Sequence, residues 1–207
     1  MKQVNKDSYR FEKYSDTSRW ASYYYQLKET LRLEPKSILE IGTGDGVFKN
    51  YILSNTDIEY TSIDVAEDLH PDVVGSVTKL PFKDGEFDIV CAFEVLEHIP
   101  FSDFEKALSE IRRVAGKYAV VSLPHFGPPI QFFIKIPFLP RVRFSFKLPY
   151  PREHVFNGQH YWEIGKRGYS SAKIRKILAK YFDIVCDYVP FENQYHHFYI
   201  LKNEKNN

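Results

Sequence analysis

The segment Ser37–Phe48, SILEIGTGDGVF, constrains the fold of this chain more than any other. An apolar run long enough for one buried strand breaks into alternate glycines, Gly42, Gly44 and Gly46, and then resumes as the helix-like VFKNYILS. Glycine weakens a regular element and is kept where the backbone turns through left-handed conformations or where another group comes close to it. A strand, a bare turn and a helix start also present free N–H groups and the positive end of a helix to a ligand. The segment therefore predicts an α/β unit with a small-molecule site at the end of its first strand.

The flanking pattern extends that unit. KSILEI, IEYTSID, DVVGSV, FDIVCAF and KYAVVSLP read as strands, the last two almost continuously apolar, as suits a parallel sheet covered on both faces. Asp16 or Thr17 caps a helix with Trp20, Tyr24, Leu27 and Leu31 on its apolar face and Pro35 beyond its end. SDFEKALSEIRRVAG predicts a second helix, with a Ser102–Glu105 capping box, apolar Phe104, Leu108 and Ile111, and a stop at Gly116. SSAKIRKILAKY predicts another, with Ile174, Ile177, Leu178 and Tyr181 on one side. FDIVCDYV and HHFYILK are joined by PFENQY, too short for a helical crossover, so they should pair as a hairpin. The expected fold is a single α/β domain over 1–207: a doubly wound, mostly parallel sheet with one antiparallel strand near its end. A helical cover over 1–34, with polar residues 1–15 frayed, and an inserted lid or arm over 124–168 complete it.

With a net charge of +1 the chain has no overall basic field, and no nucleic-acid partner is expected. Residues 1–16 contain no apolar core of the signal-peptide kind, and no apolar run approaches the ~20 residues of a membrane span. Cys91 and Cys186 each lie in an apolar run and are expected to be reduced, which fits a cytoplasmic location.

Asp64 closes the second strand. Parallel neighbours bring its carboxylate to the same sheet edge as the glycine turn, where it can accept two hydrogen bonds from a ribose diol. The dinucleotide fingerprint G-x-G-x-x-G is not met, because Val47 stands where its third glycine belongs, and this disfavours a nicotinamide-dependent oxidoreductase. No Lys-Ser or Lys-Thr pair follows the glycines, which removes the nucleoside triphosphate loop. An adenosine compound without phosphates remains.

LEIGTGDG, SID and GSVTKLPFKDGEFDIVCAFEVLEHI, in that order, resemble the motifs of the class I S-adenosylmethionine-dependent methyltransferases, in their small-molecule, type 11-like branch. The resemblance covers residues 36–123 and implies a Rossmann-like sheet of about seven strands, S-adenosyl-L-methionine as cofactor, and methyl transfer to a small acceptor. A non-catalytic sensor or partner subunit that binds the cofactor or its product is the alternative. By the same resemblance Gly42, Thr43, Gly44 and Gly46 form the turn against the methionine part, and Glu40 braces that loop and the ligand's ammonium. Asp64 holds the ribose, Val65 lies on the adenine, Ser76 and the Val77 N–H meet the adenine edge, and Phe93 closes over the methionine side. The family commonly has Asp where this chain has Ser76, a neutral and weaker acceptor.

His125 directly follows the fifth strand and is the leading candidate for a general base, with His98 second and His154 and His160 in the irregular segment beyond. No metal is expected: His196 and His197 would face opposite sides of a strand, and the other histidines lack a repeated ligand spacing. Residues 126–152 hold five Lys or Arg, no Asp or Glu, seven aromatics and six prolines. Within them RVRFSFKL alternates polar and apolar residues, which predicts a β-arm with Val142, Phe144, Phe146 and Leu148 packed on the domain. A lid over an apolar or aromatic acceptor, a homodimer contact and a peripheral membrane contact are the functional alternatives for this segment.

Overall fold

The computed structural model describes residues 6–204. Its strands, in chain order, are β1 (Ser37–Ile41), β2 (Glu59–Asp64), β3 (Val73–Val74), β4 (Phe87–Phe93), β5 (Ala115–Pro124), β6 (Pro129–Ile134), β7 (Val142–Lys147), β8 (Asp183–Tyr188) and β9 (His196–Lys202). Its α-helices are α1 (Phe11–Tyr14), α2 (Thr17–Leu31), α3 (Val47–Asn55), α4 (Phe104–Val114) and α5 (Ser171–Leu178). Seven strands form one sheet in the order β3-β2-β1-β4-β5-β9-β8, a Rossmann-like arrangement in which β9 alone runs against its neighbours. The strand order reverses on either side of β1, and such a switch point opens a crevice at the C-terminal strand ends.

Alternation along the strands builds a core on each face. Leu39, Ile41, Val90, Ala92 and Val121 meet Phe104, Leu108 and Ile111 of α4 and Ile174 and Leu178 of α5. On the other face Ile38, Ile89, Cys91 and Val120 meet Phe48 and Ile52 of α3. The expected face of α5 is buried at Ile174, Ile177 and Leu178, and Ser170 caps the helix by accepting from the Lys173 N–H.

Four local expectations are corrected. Asp16 caps α2 through the Arg19 N–H, but Trp20 and Tyr24 are exposed, and the buried side carries Ser22, Tyr23, Gln26, Glu29 and Thr30. That side is polar because each partner across it is polar: Ser22 bonds His196, Tyr23 donates to Asp45, Tyr188 donates to Glu29, and Thr30 meets Cys91. The Ser102–Glu105 capping box is absent: α4 is entered through a 3-10 turn, Phe101–Asp103, and Glu105 instead accepts from Lys180 and Tyr181. Described residues of the N-terminal stretch are not frayed, since Lys6–Tyr9 form a 3-10 turn and α1 follows; residues 1–5 lie outside the described residues.

The fourth concerns the arm. β6 and β7 pair as a separate two-stranded hairpin whose polar face turns inward: Arg143 pairs with Glu192, Gln194 donates to Ser145, and Lys147 donates to the His125 carbonyl. The apolar face, Phe132 and Ile134 beside Val142, Phe144 and Phe146, is 42–57% exposed. Charged and amide partners were waiting on the domain side, so the hydrophobic alternation selected the correct period and the wrong side.

Candidate cofactor and acceptor site

The glycine turn sits at the C-terminal end of β1. All three glycines have positive φ, 82°, 55° and 76° for Gly42, Gly44 and Gly46. At Gly42 a side chain is excluded by space as well, because an added Cβ would lie 2.4 Å from Val95 Cγ2. Asp64, at the end of β2, is locked to this turn: its two carboxylate oxygens accept from the Thr43 N–H at 2.9 Å and from the Ala66 N–H at 2.8 Å. Those bonds fix the carboxylate's orientation and leave each oxygen a lone pair for a second donor.

The turn is ringed by acidic groups. Asp45 accepts from Tyr23 and from the Val47 N–H, and buried Glu40 accepts from Tyr60. Burial raises the Glu40 carboxyl to about 8, with the Tyr60 hydrogen bond opposing. The nearby cation Lys49 is engaged by Asp72. A cavity of about 650 Å³ lies over the turn, lined by Thr43, Gly44, Gly46, Asp68, His70 and Tyr9 among others. Tyr9 stands against Gly44, and burial raises its phenol, with Tyr14, Asp64 and Asp45 adding to the rise. Described N-terminal residues thus form a wall of this cavity.

At the ends of β4, β5 and β9 the groups are side chains. Glu94 adopts left-handed backbone geometry, φ 55°, a strain that for a non-glycine residue costs on the order of 1–2 kcal/mol. Its carboxylate lies 3.4 Å from His196 Nε2, and burial raises it to about 8 against the opposing charge of Arg19. Burial also holds the His196 ring far below its ordinary range, so it is neutral. Glu97 is completely buried on the 3-10 turn Leu96–His98, and burial, then the neighbouring Glu94, drives its carboxyl well upward.

His125 follows β5. Asp187 accepts from His197 Nε2 at 3.0 Å, and His197 Nδ1 faces His125 Nδ1 at 3.1 Å. Burial, with Lys147 and His197 adding, lowers His125 to about 3. A second cavity, about 490 Å³, is lined by His125, Phe126, Pro128, Lys147, Tyr150 and Tyr195 among others.

Residues 39–121 match the profile of the methyltransferase domain family. Over these residues, less than half of its length, the chain is similar to that family. Over 104 residues the chain is 35% identical to norajmaline N-methyltransferase of Rauvolfia serpentina, covering 42% of the chain and 35% of that enzyme. Over 94 residues it is 34% identical to an uncharacterized protein of Methanocaldococcus jannaschii, covering 41% of the chain and 39% of that protein. The chain thus spans well under half the length of these curated relatives. Its fold resembles that of N-methyltransferase NodS from Bradyrhizobium japonicum, solved with S-adenosyl-L-homocysteine, with a TM-score of 0.65 at 12% identity over 98% of this chain and 95% of that one.

The fold brings together some of the expected site residues and disperses others. Glu40, Gly42, Thr43, Gly44, Gly46 and Asp64 converge at the ends of β1 and β2, with Val65 half exposed just beyond. Ser76 bonds the Thr78 hydroxyl, and the Val77 side chain is in the core. The Phe93 ring points into the core between Phe48 and Phe198 and does not line the cavity over the turn. His125 faces the second cavity, and His98 bonds the Gln159 carbonyl. Tyr9, which lines the cavity over the turn, and Glu94, beside His196, were missed. For Glu94 its position directly after the β4 run was the available signal, whereas nothing in the polar N-terminal stretch pointed to the cavity.

Proposed function

We propose that this chain transfers a methyl group from S-adenosylmethionine to a small acceptor. The observation that carries the reading is the fixed Asp64 carboxylate, tied by the Thr43 N–H to a turn of left-handed glycines that is ringed by acidic groups. Asp45 and Asp64 disfavour a pyrophosphate and suit a ligand carrying an ammonium and a sulfonium. Asp64 accepts from the two ribose hydroxyls, while the turn leaves its backbone uncovered for the amino-acid part. When bound, the sulfonium supplies a methyl group already activated for displacement, so the protein's work is alignment and exclusion of water. Tyr9, against Gly44 and lining the cavity, helps to exclude water there.

On the acceptor side, His125 presents Nε2 as its basic nitrogen, because His197 orders the opposite side of the ring. It is the base for an acceptor that must lose a proton; an amine nucleophile already neutral needs none. The outward apolar face of the β6–β7 hairpin, with Lys135 and Arg141 in its connecting loop, suits contact with an anionic lipid surface and hence an apolar acceptor.

Calorimetry against S-adenosylhomocysteine and NAD tests the cofactor: the first should bind and the second should not, and the reverse result overturns the reading. Tritiated methyl transfer into fractionated cell extract then identifies the acceptor class. Sedimentation with phosphatidylserine vesicles should carry the chain down, and Phe132→Ser with Phe144→Ser should release it.

A further inference from the structure

We propose that Glu97, His98 and His160 bind one divalent transition-metal ion of the zinc class. Spacing along the chain gives no hint of it, since Glu97 and His98 are adjacent and His160 lies far downstream in the long connection after β5. The fold brings one ligand atom of each within 4.8 Å of the others. His98 Nε2 and His160 Nε2 each stand 4.0 Å from Glu97 Oε1.

The convergence of the three groups carries the proposal. His98 Nδ1 faces the Gln159 carbonyl at 3.1 Å. His160 Nδ1 faces the Glu163 carboxylate at 3.0 Å, which accepts, so the His160 ring proton sits on Nδ1 and Nε2 is its basic nitrogen. Both Nε2 atoms stand toward Glu97, whose two side-chain oxygens are fully buried and have no hydrogen-bond partner among the described residues. A buried carboxyl group without a partner thus faces two imidazoles, and a cation shared by all three satisfies it.

The surroundings are those of a built site. Metal-bound histidines characteristically turn their other ring nitrogen to a carboxylate or a carbonyl, and here one ring faces each. Glu163 is itself held by the Tyr195 hydroxyl. The Asn157 side chain accepts from the Gln159 and His160 N–H groups, and the Tyr161 N–H docks on the Glu97 carbonyl, so the His160 turn is pinned beside Glu97. Bonds of ~2.0–2.2 Å require the ligand atoms to close to roughly 3.5 Å apart, a small side-chain rotation from the separations observed. Two imidazoles and one carboxylate select zinc-class ions over magnesium or calcium, which prefer oxygen ligands, and leave coordination positions open to water.

The test uses the full chain, freed of metal by a chelator, titrated with ZnCl2 by calorimetry and with CoCl2 by visible absorption. One Zn²⁺ per chain and a cobalt ligand-field band are expected, unaffected by excess MgCl2. Glu97→Gln and His160→Gln should each weaken Zn²⁺ binding by about 100-fold or more, and Glu163→Gln by about 10- to 100-fold. Metal-free melting curves of each variant separate lost binding from lost folding, and His98→Gln replaces any variant that does not fold. Absence of saturable Zn²⁺ binding, or wild-type affinity in the folded Glu97 and histidine variants, overturns the proposal. The readout is metal binding, so the outcome is independent of methyl transfer.

Discussion

At the ends of β1 and β2 the groups offered to a ligand are mostly backbone: N–H groups of a glycine turn, with the carboxylate of Asp64 fixed by the Thr43 and Ala66 N–H groups. At the ends of β4, β5 and β9 they are side chains drawn from Glu94, Glu97, His125, Tyr195 and His196, supported by a hairpin and a turn from the long connection. Backbone recognition needs a local chain path, and a local path leaves a local sequence signature. Side-chain recognition needs only that distant residues meet, so one half of the edge can change what it accepts while the other keeps the same ligand.

Removing residues 128–150 should therefore abolish acceptor methylation and leave S-adenosylhomocysteine affinity in calorimetry within about twofold, within the tolerance of loops to length change. Equal loss of both would dissolve the distinction between the two halves. Asp64→Ala should weaken S-adenosylhomocysteine about 100-fold, the scale of two lost charge-assisted hydrogen bonds, without altering the hairpin. An effect below about threefold would show that the ribose is held elsewhere.

Gly42→Ala should destabilise the fold by about 2–3 kcal/mol in urea unfolding, combining positive φ with the Val95 contact. Adding Val95→Ala should restore the steric part only; complete restoration would mean that the turn is not conformationally restricted.

A smaller effect concerns pH. Burial lowers His125 to about 3 and His197 to about 4, so both stay neutral in the folded chain while the unfolded chain takes up protons below about 6.5. Their contribution is complete above pH 6.5 and is lost as pH falls toward 4, by roughly 1 kcal/mol per pH unit for each ring. Glu40, raised to about 8, acts in the opposite sense between about 4.5 and 8, so wild type should be compared with His125→Gln/His197→Gln at pH 7 and 5. A steeper loss in the double variant would reverse the assignment.

Legibility in the sequence followed the same division. The sheet, the turn, Asp64, the terminal hairpin of β8 and β9 and the apolar face of α5 were readable because each is set by neighbours along the chain. α2 was misread because its buried side is matched to polar groups on other elements, which periodicity does not see. The β6–β7 hairpin was assigned the wrong inner face for a related reason: Glu192 and Gln194, not an apolar core, stand opposite it. Phe93 shows the limit of transfer by resemblance, since Phe48 and Phe198 offer its ring an apolar niche.

β9 lies inside the sheet between β5 and β8, yet it follows every other strand in the chain. During synthesis β5 and β8 must wait with unpaired edges until His196–Lys202 has emerged, while β1, β2 and β4 are free to join earlier. A ribosome stalled late would thus release a nascent chain with two open sheet borders, a ready template for aggregation and a natural target for chaperones.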